Sequence, residues 1–209
     1  MELINFETGP IKVNTYIIHD GKDAAIIDPG GNIKRILSEL ESKNLTLTKI
    51  LLTHGHFDHI GAVEGLKKAT GAKVYIHEED EKMLKSNKYN LSTFTSNGVE
   101  LTEADVLLKG GEVIDCPSCK LTVIHTPGHT KGCVCYLGDG CIFTGDTLFC
   151  ESVGRTDFPG GDYNELMQSI KEKLFSLEGD YVVYPGHEEF TTMDNERKNN
   201  PCLGFGWDK

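Results

Sequence analysis

Alternation of apolar and polar positions comes in short bursts along the chain. Runs near Leu3–Phe6, Lys12–His19, Asp23–Asp28, Lys49–Thr53 and Lys73–His77 read as strands, because a period of two puts alternate side chains on one face. Further strands are predicted at Lys120–Thr126, Cys133–Leu137, Cys141–Thr144 and Tyr181–Tyr184. Between them the period lengthens. Ile33, Ile36, Leu37 and Leu40 follow the i, i+3, i+4, i+7 spacing of an amphipathic helix, with Asn32 placed to cap it. Val63, Leu66 and Lys67 lead to Gly71, which stands where a helix should end. Asp162 and Glu165 have the spacing of a capping box ahead of Leu166, Ile170 and Leu174. The polar stretch Ser86–Gly98 reads as a loop or a frayed helix. Strands in a meander, followed by strands alternating with helices, predict a mixed α/β chain with layered sheets. No linker, low-complexity tract or fixed-period repeat divides the 209 residues, so one domain spanning 1–209 is expected.

Four of these strands end alike. Ile50-Leu51-Leu52-Thr53 runs into His54, and Leu121–Thr126 runs through Pro127-Gly128 to His129. Cys141–Gly145 leads to Asp146, and Tyr181–Tyr184 leads through Pro185-Gly186 to His187. Each time a small or turn residue lets backbones approach closely, and a metal-ligating side chain follows. The densest station is Thr53-His54-Gly55-His56-Phe57-Asp58-His59, with three imidazoles and one carboxylate in seven residues. Neutral imidazole is the commonest ligand for zinc-type metals, and a carboxylate adds a hard anionic ligand. His54 and His56 are two apart, so in an extended chain they point the same way and can chelate one ion. Asp58 and His59 precede a helix expected from Ile60 onward, and the turn there lets them face a second ion. Five of the eight histidines stand at such stations, whereas His19, His77 and His125 read as structural or solvated.

Charge narrows the function. With 21 Lys+Arg against 32 Asp+Glu the net charge is −11, which argues against a nucleic-acid groove, since phosphate binding needs a basic footprint. Met1-Glu2-Leu3-Ile4-Asn5 lacks the charged-then-apolar order of a signal peptide, and no apolar run reaches the roughly 18 residues of a membrane span. A cytoplasmic protein with no membrane partner is expected. Its seven cysteines, an odd number, then read as reduced thiols. Cys116, Cys119, Cys133 and Cys135 have a spacing reminiscent of a zinc ribbon. However, Pro117-Ser118 supplies a turn between two strands, and Cys133-Val134-Cys135 lies in an apolar strand, so both pairs read as turn and core groups.

Five motifs occur in one order: Ile27-Asp28-Pro29-Gly30-Gly31, the His54–His59 cluster, Thr126-Pro127-Gly128-His129-Thr130, Phe143-Thr144-Gly145-Asp146-Thr147 and Pro185-Gly186-His187. In this the chain resembles the metallo-β-lactamase superfamily, in its glyoxalase II-like hydrolase branch, over nearly its whole length. The resemblance implies a four-layer αββα sandwich with the metals at one edge of two packed sheets. It also implies that His54, His56 and His129 hold one divalent ion, that Asp58, His59 and His187 hold a second, and that Asp146 bridges them. The ions are expected to be zinc, with iron or manganese as substitutes. Asp28 is expected to be a turn residue that supports a ligand. Flavodiiron relatives carry an acidic residue in the place of His56, which favours a zinc-type hydrolase. Class B β-lactamases lack the bridging carboxylate of Asp146 and are exported, which argues against antibiotic hydrolysis.

Two dications about 3.5–4 Å apart share a water whose pKa falls toward ~7. Asp58 is the expected catalytic base that orients the resulting hydroxide, while a metal stabilises the oxyanion. Such a site suits a small acyl thioester, whose thiolate leaves readily. Persulfide dioxygenases resemble the same scaffold and retain the same cluster, but use a single iron on the equivalents of His54, His129 and Asp146. They share the block Gly154-Arg155-Thr156-Asp157-Phe158. The run Pro185-Gly186-His187 followed by Thr191-Thr192, and a chain that stops soon after Asn200-Pro201, favour the hydrolase. Arg155 reads either as an ion-pair partner of Asp157 or as a bidentate clamp for a substrate carboxylate. Full-length glyoxalase II enzymes hold glutathione with a C-terminal helical domain. This chain ends at Lys209, and Arg155 is the one basic group offered in its place, so weak dependence on glutathione is expected.

Overall fold

A computed structural model describes residues 2–95 and 98–203. The first sheet holds β1 (Glu2–Thr8), β2 (Val13–His19), β3 (Asp23–Ile27), β4 (Thr46–Leu51), β5 (Lys73–His77) and β6 (Val106–Leu108), in that spatial order. Its first three strands pair antiparallel and the rest parallel. The parallel steps are bridged by α1 (Ile33–Ser42), by α2 (Phe57–Ile60) with α3 (Val63–Thr70), and by a longer connection containing α4 (Glu81–Leu84). The second sheet holds β7 (Val113–Cys116), β8 (Cys119–His125), β9 (Val134–Leu137), β10 (Cys141–Gly145), β13 (Val182–Pro185) and β14 (Thr191–Thr192). Only the β10–β13 pair is parallel among its pairings. The hairpin β11 (Leu148–Phe149) and β12 (Ser152–Val153), then α5 (Tyr163–Ser169) with its π-helical continuation Ile170–Leu174, connect that pair, and α6 (Met193–Asn199) follows β14.

Period-two alternation sorts the apolar side chains into three cores. Ile17, Ile26 and Ile50 face α1 and α3, meeting Ile36, Leu40, Val63 and Leu66. Their neighbours Ile18, Ile27 and Leu51 face the other sheet and meet Val123, Val134, Tyr136 and Phe143. Cys135, Ile142 and Val183 face α5 and α6, against Leu166, Ile170, Leu174 and Met193. Three cores separate four layers, helix–sheet–sheet–helix, the expected αββα sandwich. Among the described residues no helix is long and apolar enough to cross a membrane.

Local details depart from the sequence expectations in instructive ways. Asn32 precedes α1 but adopts a left-handed conformation (φ 55) and makes no side-chain cap. Its Oδ1 instead accepts from the Gly9 amide at 2.7 Å, tying the β1–β2 turn to the helix start. Gly71 ends α3 with φ 73, the conformation a C-terminal glycine favours. Asp162 caps α5 by accepting from the Glu165 amide at 3.0 Å. Helix α2 starts at Phe57, earlier than expected, because the Phe57 amide donates to the carbonyl of Asn90 at 2.9 Å. The stretch from Ser86 is loop with one 3-10 turn at Ser92–Phe94, while its residues 96 and 97 lie outside the described residues, as do 204–209 of the tail.

Cys116 and Cys119 face each other across the β7–β8 hairpin, whose turn places Ser118 at φ 65. Both pack against the core between the sheets, whereas Cys135 lies on the opposite face of the second sheet. Burial pushes the Cys116 thiol up to about 12, so forming the thiolate that a metal needs costs more there than at a free thiol. Replacing Cys116 and Cys119 with Ser is therefore expected to leave metal content unchanged. Elemental analysis that finds one equivalent missing would reveal a site this geometry does not predict.

Candidate metal centre

Four strand ends deliver side chains to one edge of the sandwich. His54 follows β4, His129 follows β8, Asp146 follows β10 and His187 follows β13. His56, Asp58 and His59 come from the short segment around α2, which the Asn90 carbonyl and the strand end hold in place. Two glycines permit the approach. A Cβ at Gly186 would lie 2.3 Å from Asp146 Oδ1, so any larger residue would displace that carboxylate. Gly128 has φ 138 and lies so close to α5 that a Cβ would sit 2.2 Å from the Leu166 amide. The Gly128 carbonyl also accepts from the Asp162 amide at 2.8 Å, which anchors the turn that presents His129.

All seven histidines and aspartates expected from the sequence converge here. His54, His56 and His129 form one group, Asp58, His59 and His187 another, and His54, His59 and Asp146 a third that joins them; within each, one ligand atom per residue lies within 4.8 Å of the others. The rings of His54, His56 and His129 stand edge to face, with centroids 4.7–4.8 Å apart. Asp146 reaches both sides, with Oδ2 3.5 Å from His129 Nε2 and Oδ1 3.3 Å from His59 Nε2. Asp58 Oδ2 lies 3.2 Å from His187 Nε2.

Buried polar atoms test whether metal ions fit. His54 Nε2, His59 Nε2 and Asp146 Oδ1 are buried without a hydrogen-bond partner. Leaving such a group unsatisfied costs about 1–3 kcal/mol, and three pointing into one space describe a cation site. His56 Nδ1 and His129 Nε2 lie 2.9 Å apart and can share a proton or jointly face a cation. Outer partners orient the rings. His129 Nδ1 donates to the Arg155 carbonyl at 2.6 Å, and His59 Nδ1 lies 2.9 Å from Asp28 Oδ2. A carboxylate can only accept, so Nδ1 carries a proton, and in the neutral ring that a metal requires Nε2 is the atom left for an ion.

The two groups differ electrically. Burial holds His54 well below the usual imidazole range, reinforced by His59, His56 and His129. Burial likewise pushes His56 down to about 3. At His59 burial acts in the same direction, but the carboxylates of Asp146, Asp28 and Asp58 prevail and raise it. Against burial, His59 and the other imidazoles hold Asp146 well below the carboxylate range, and His59 and His187 lower Asp58. Burial thus disfavours charge on His54 and His56, whereas the carboxylates of Asp58, Asp146 and Asp28 gather around His59.

The remaining histidines lie elsewhere. His77 and His125 stack with centroids 4.0 Å apart, and His19 lies 3.4 Å from Glu2. Arg155 binds Asp157 with both arms of its fork at 2.7 and 2.6 Å and lies 4.1 Å over the Phe158 ring. The ligand atoms open onto a cavity of about 490 Å³ walled by Ile11, Phe57, Leu91, Phe149, Val153 and Phe158. Apart from Phe57 and Phe158, which sit inside motifs, none of these wall residues carries a local signature in the sequence.

The family description "Metallo-beta-lactamase superfamily" matches residues 8–187. The hydroxyacylglutathione hydrolase GloC of Haemophilus influenzae is 37% identical, over 90% of this chain and 91% of that protein. The crystal structure of BLEG-1 B3 metallo-beta-lactamase superposes with a TM-score of 0.92 at 36% identity, covering 97% of this chain and 100% of that one. TTHA1623, solved in a di-iron-bound form, superposes with a TM-score of 0.84 at 34% identity, covering 95% and 98%.

Proposed function

We propose that this chain, which belongs to the metallo-beta-lactamase superfamily, is a hydrolase of small acyl thioesters that works with two divalent ions, zinc first among them. The observation that carries the reading is the complete second group, Asp58, His59 and His187, beside the first. A single ion would leave this group without a metal to hold. The similarity to a hydroxyacylglutathione hydrolase supports the thioester, and the di-iron form of TTHA1623 supports the pair of ions while leaving iron as a substitute.

His54, His56 and His129 would hold one ion, Asp58, His59 and His187 the other, and Asp146 would touch both. Bound there, the ions would supply Lewis acidity and bring the pKa of a coordinated water toward neutrality. The protein's own groups do the rest. Asp58, its charge stabilised by His59 and His187, lines the cavity and can hold the proton of the attacking water. Phe57, Phe149 and Phe158 give the acyl group apolar walls and exclude bulk water. A thiolate needs little help in leaving, and among the described residues no acid besides these lines the cavity except Glu188 at its rim. Arg155 can clamp a substrate carboxylate only by exchanging Asp157 for it.

The deciding experiment measures metal content and turnover on one preparation, with a lactoyl thioester, a β-lactam and a persulfide with oxygen as parallel substrates. About two equivalents of metal and thioester turnover are expected. A single iron with oxygen uptake would replace the reading with a persulfide dioxygenase. Lactam turnover without thioester turnover would align the chain with BLEG-1 instead.

A further inference from the structure

Beside the metal cavity lies a second one of about 570 Å³. Leu91 stands in the wall of both. The boundary between them also follows the chain step by step. His129 lines the metal cavity and Thr130 and Lys131 the second, and Phe158 lines the metal cavity and Pro159 and Gly160 the second. A ligand too long for the first cavity therefore meets the second on passing Leu91. Leu91 itself is buried in a left-handed conformation, φ 68, which a leucine adopts only when its surroundings impose it. The neighbouring Asn90 does so, donating to the Met83 carbonyl at 3.0 Å and accepting from the Ser92 amide at 3.0 Å.

The second cavity reverses the sign of the molecule. The chain as a whole carries −11, yet Lys82, Lys88 and Lys131 line this space and are exposed. Among the described residues none of the three forms an ion pair, while Lys67, Lys68, Lys85 and Lys109 all do. The one carboxylate in the lining, Asp80, is buried and already engaged, accepting from Thr130 Oγ1 at 2.6 Å and from the Gly132 amide at 3.0 Å. Two rings complete the space, Tyr89 at 51% exposure and Phe94 at 84%. Lys82 Nζ already lies 5.5 Å from the Tyr89 ring centroid.

We propose that this cavity holds the anionic far end of the thiol carrier while the thioester bond lies at the metal cavity, an inference that rests on the thioesterase reading. The carrier class is a thiol bearing two or more carboxylates or phosphates. It replaces the expectation that Arg155 is the one basic group available to a carrier. Three exposed ammonium groups each contribute little alone, but together they favour one charge type and act on binding rather than on the chemical step.

The test uses the full metal-loaded chain and one acyl group on three carriers: glutathione for carboxylates, coenzyme A for phosphates and N-acetylcysteamine as the neutral thiol. An anionic carrier is expected to gain roughly tenfold in kcat/KM over the neutral one, mainly through KM. The carrier with the larger gain identifies carboxylate or phosphate as the group bound. The combined variant Lys82→Gln, Lys88→Gln, Lys131→Gln should bring that ratio close to one. The control Lys22→Gln, Lys34→Gln, Lys43→Gln removes equal charge elsewhere and should preserve it. A parent enzyme indifferent to carrier charge, or a triple variant that keeps the preference, overturns the proposal. Should no thioester be turned over, the hydrolase reading fails by itself and calorimetry decides the cavity. S-methylglutathione or S-methyl-coenzyme A bound by the parent and about tenfold more weakly by the triple variant would uphold it. No binding, or equal binding, would reject it.

Discussion

Asp58→Asn is expected to lower kcat by about 10²–10⁴-fold, the usual scale of a lost general base, while the His54, His56 and His129 group keeps its ion. The substitution is close to isosteric, so α2 and the ring of His59 have no steric reason to move. What changes is the capacity to hold a proton and a negative charge. Asp58 Oδ2 lies 3.2 Å from His187 Nε2 and 3.7 Å from His59 Nε2, so it belongs to the second group alone. An amide there removes a charge that the second ion needs and an acceptor that the nucleophile needs. The His54, His56 and His129 group depends on neither. Metal content and kcat on the same preparation check the outcome. Loss of both ions together would mean that Asp58 supports the whole centre, and near-normal turnover would mean that another group takes the proton.

How much of this centre could be read from the chain depends on how local each feature is. His54, His56, Asp58 and His59 are legible because strand and turn geometry alone bring them together within one segment. His129, Asp146 and His187 are legible because each follows an apolar strand and a close-packing turn, a pattern that survives without knowing which strands pair. Asp28 was legible only as a supporting residue; its reach to both Thr53 and His59 needs β3 and β4 side by side. The short strands β6, β11, β12 and β14 have two or three residues each, too few to show a period, and exist because a neighbour offers a ladder. Asn32 was misread because its side chain serves a tertiary contact to Gly9 rather than its own helix. Asn90 was invisible for a different reason: the Phe57 amide is held by its main-chain carbonyl, a group every residue carries and no sequence marks. The lysines at 82, 88 and 131 share no motif at all, and only the folded chain gathers them round one space.

Asp28→Asn should remove the second ion, weakening its affinity by about 10–100-fold, although it changes no atom that touches the metal. Asp28 is buried, and its carboxylate accepts three hydrogen bonds: from the Thr53 amide at 2.8 Å, from Thr53 Oγ1 at 2.6 Å and from His59 Nδ1 at 2.9 Å. Thr53 needs an acceptor for its amide, which an asparagine oxygen can supply. That leaves the asparagine NH2 group turned toward Thr53 Oγ1 and His59 Nδ1. Two N–H groups cannot face each other, so His59 must accept at Nδ1 and carry its proton on Nε2. Nε2 is the atom that looks toward Asp58 and Asp146, and a protonated nitrogen cannot ligate. The geometry is preserved and the tautomer is wrong, the same reasoning that explains why an Asp-to-Asn change beside a catalytic histidine costs far more than its size suggests. Through Thr53, whose Oγ1 lies 3.2 Å from His54 Nδ1, a weaker effect should reach the first group. Stepwise metal titration of the variant, with its thermal melt as a check on folding, should show one tight and one weak equivalent. Two tight equivalents in a folded variant would show that Asp28 does not set the tautomer of His59.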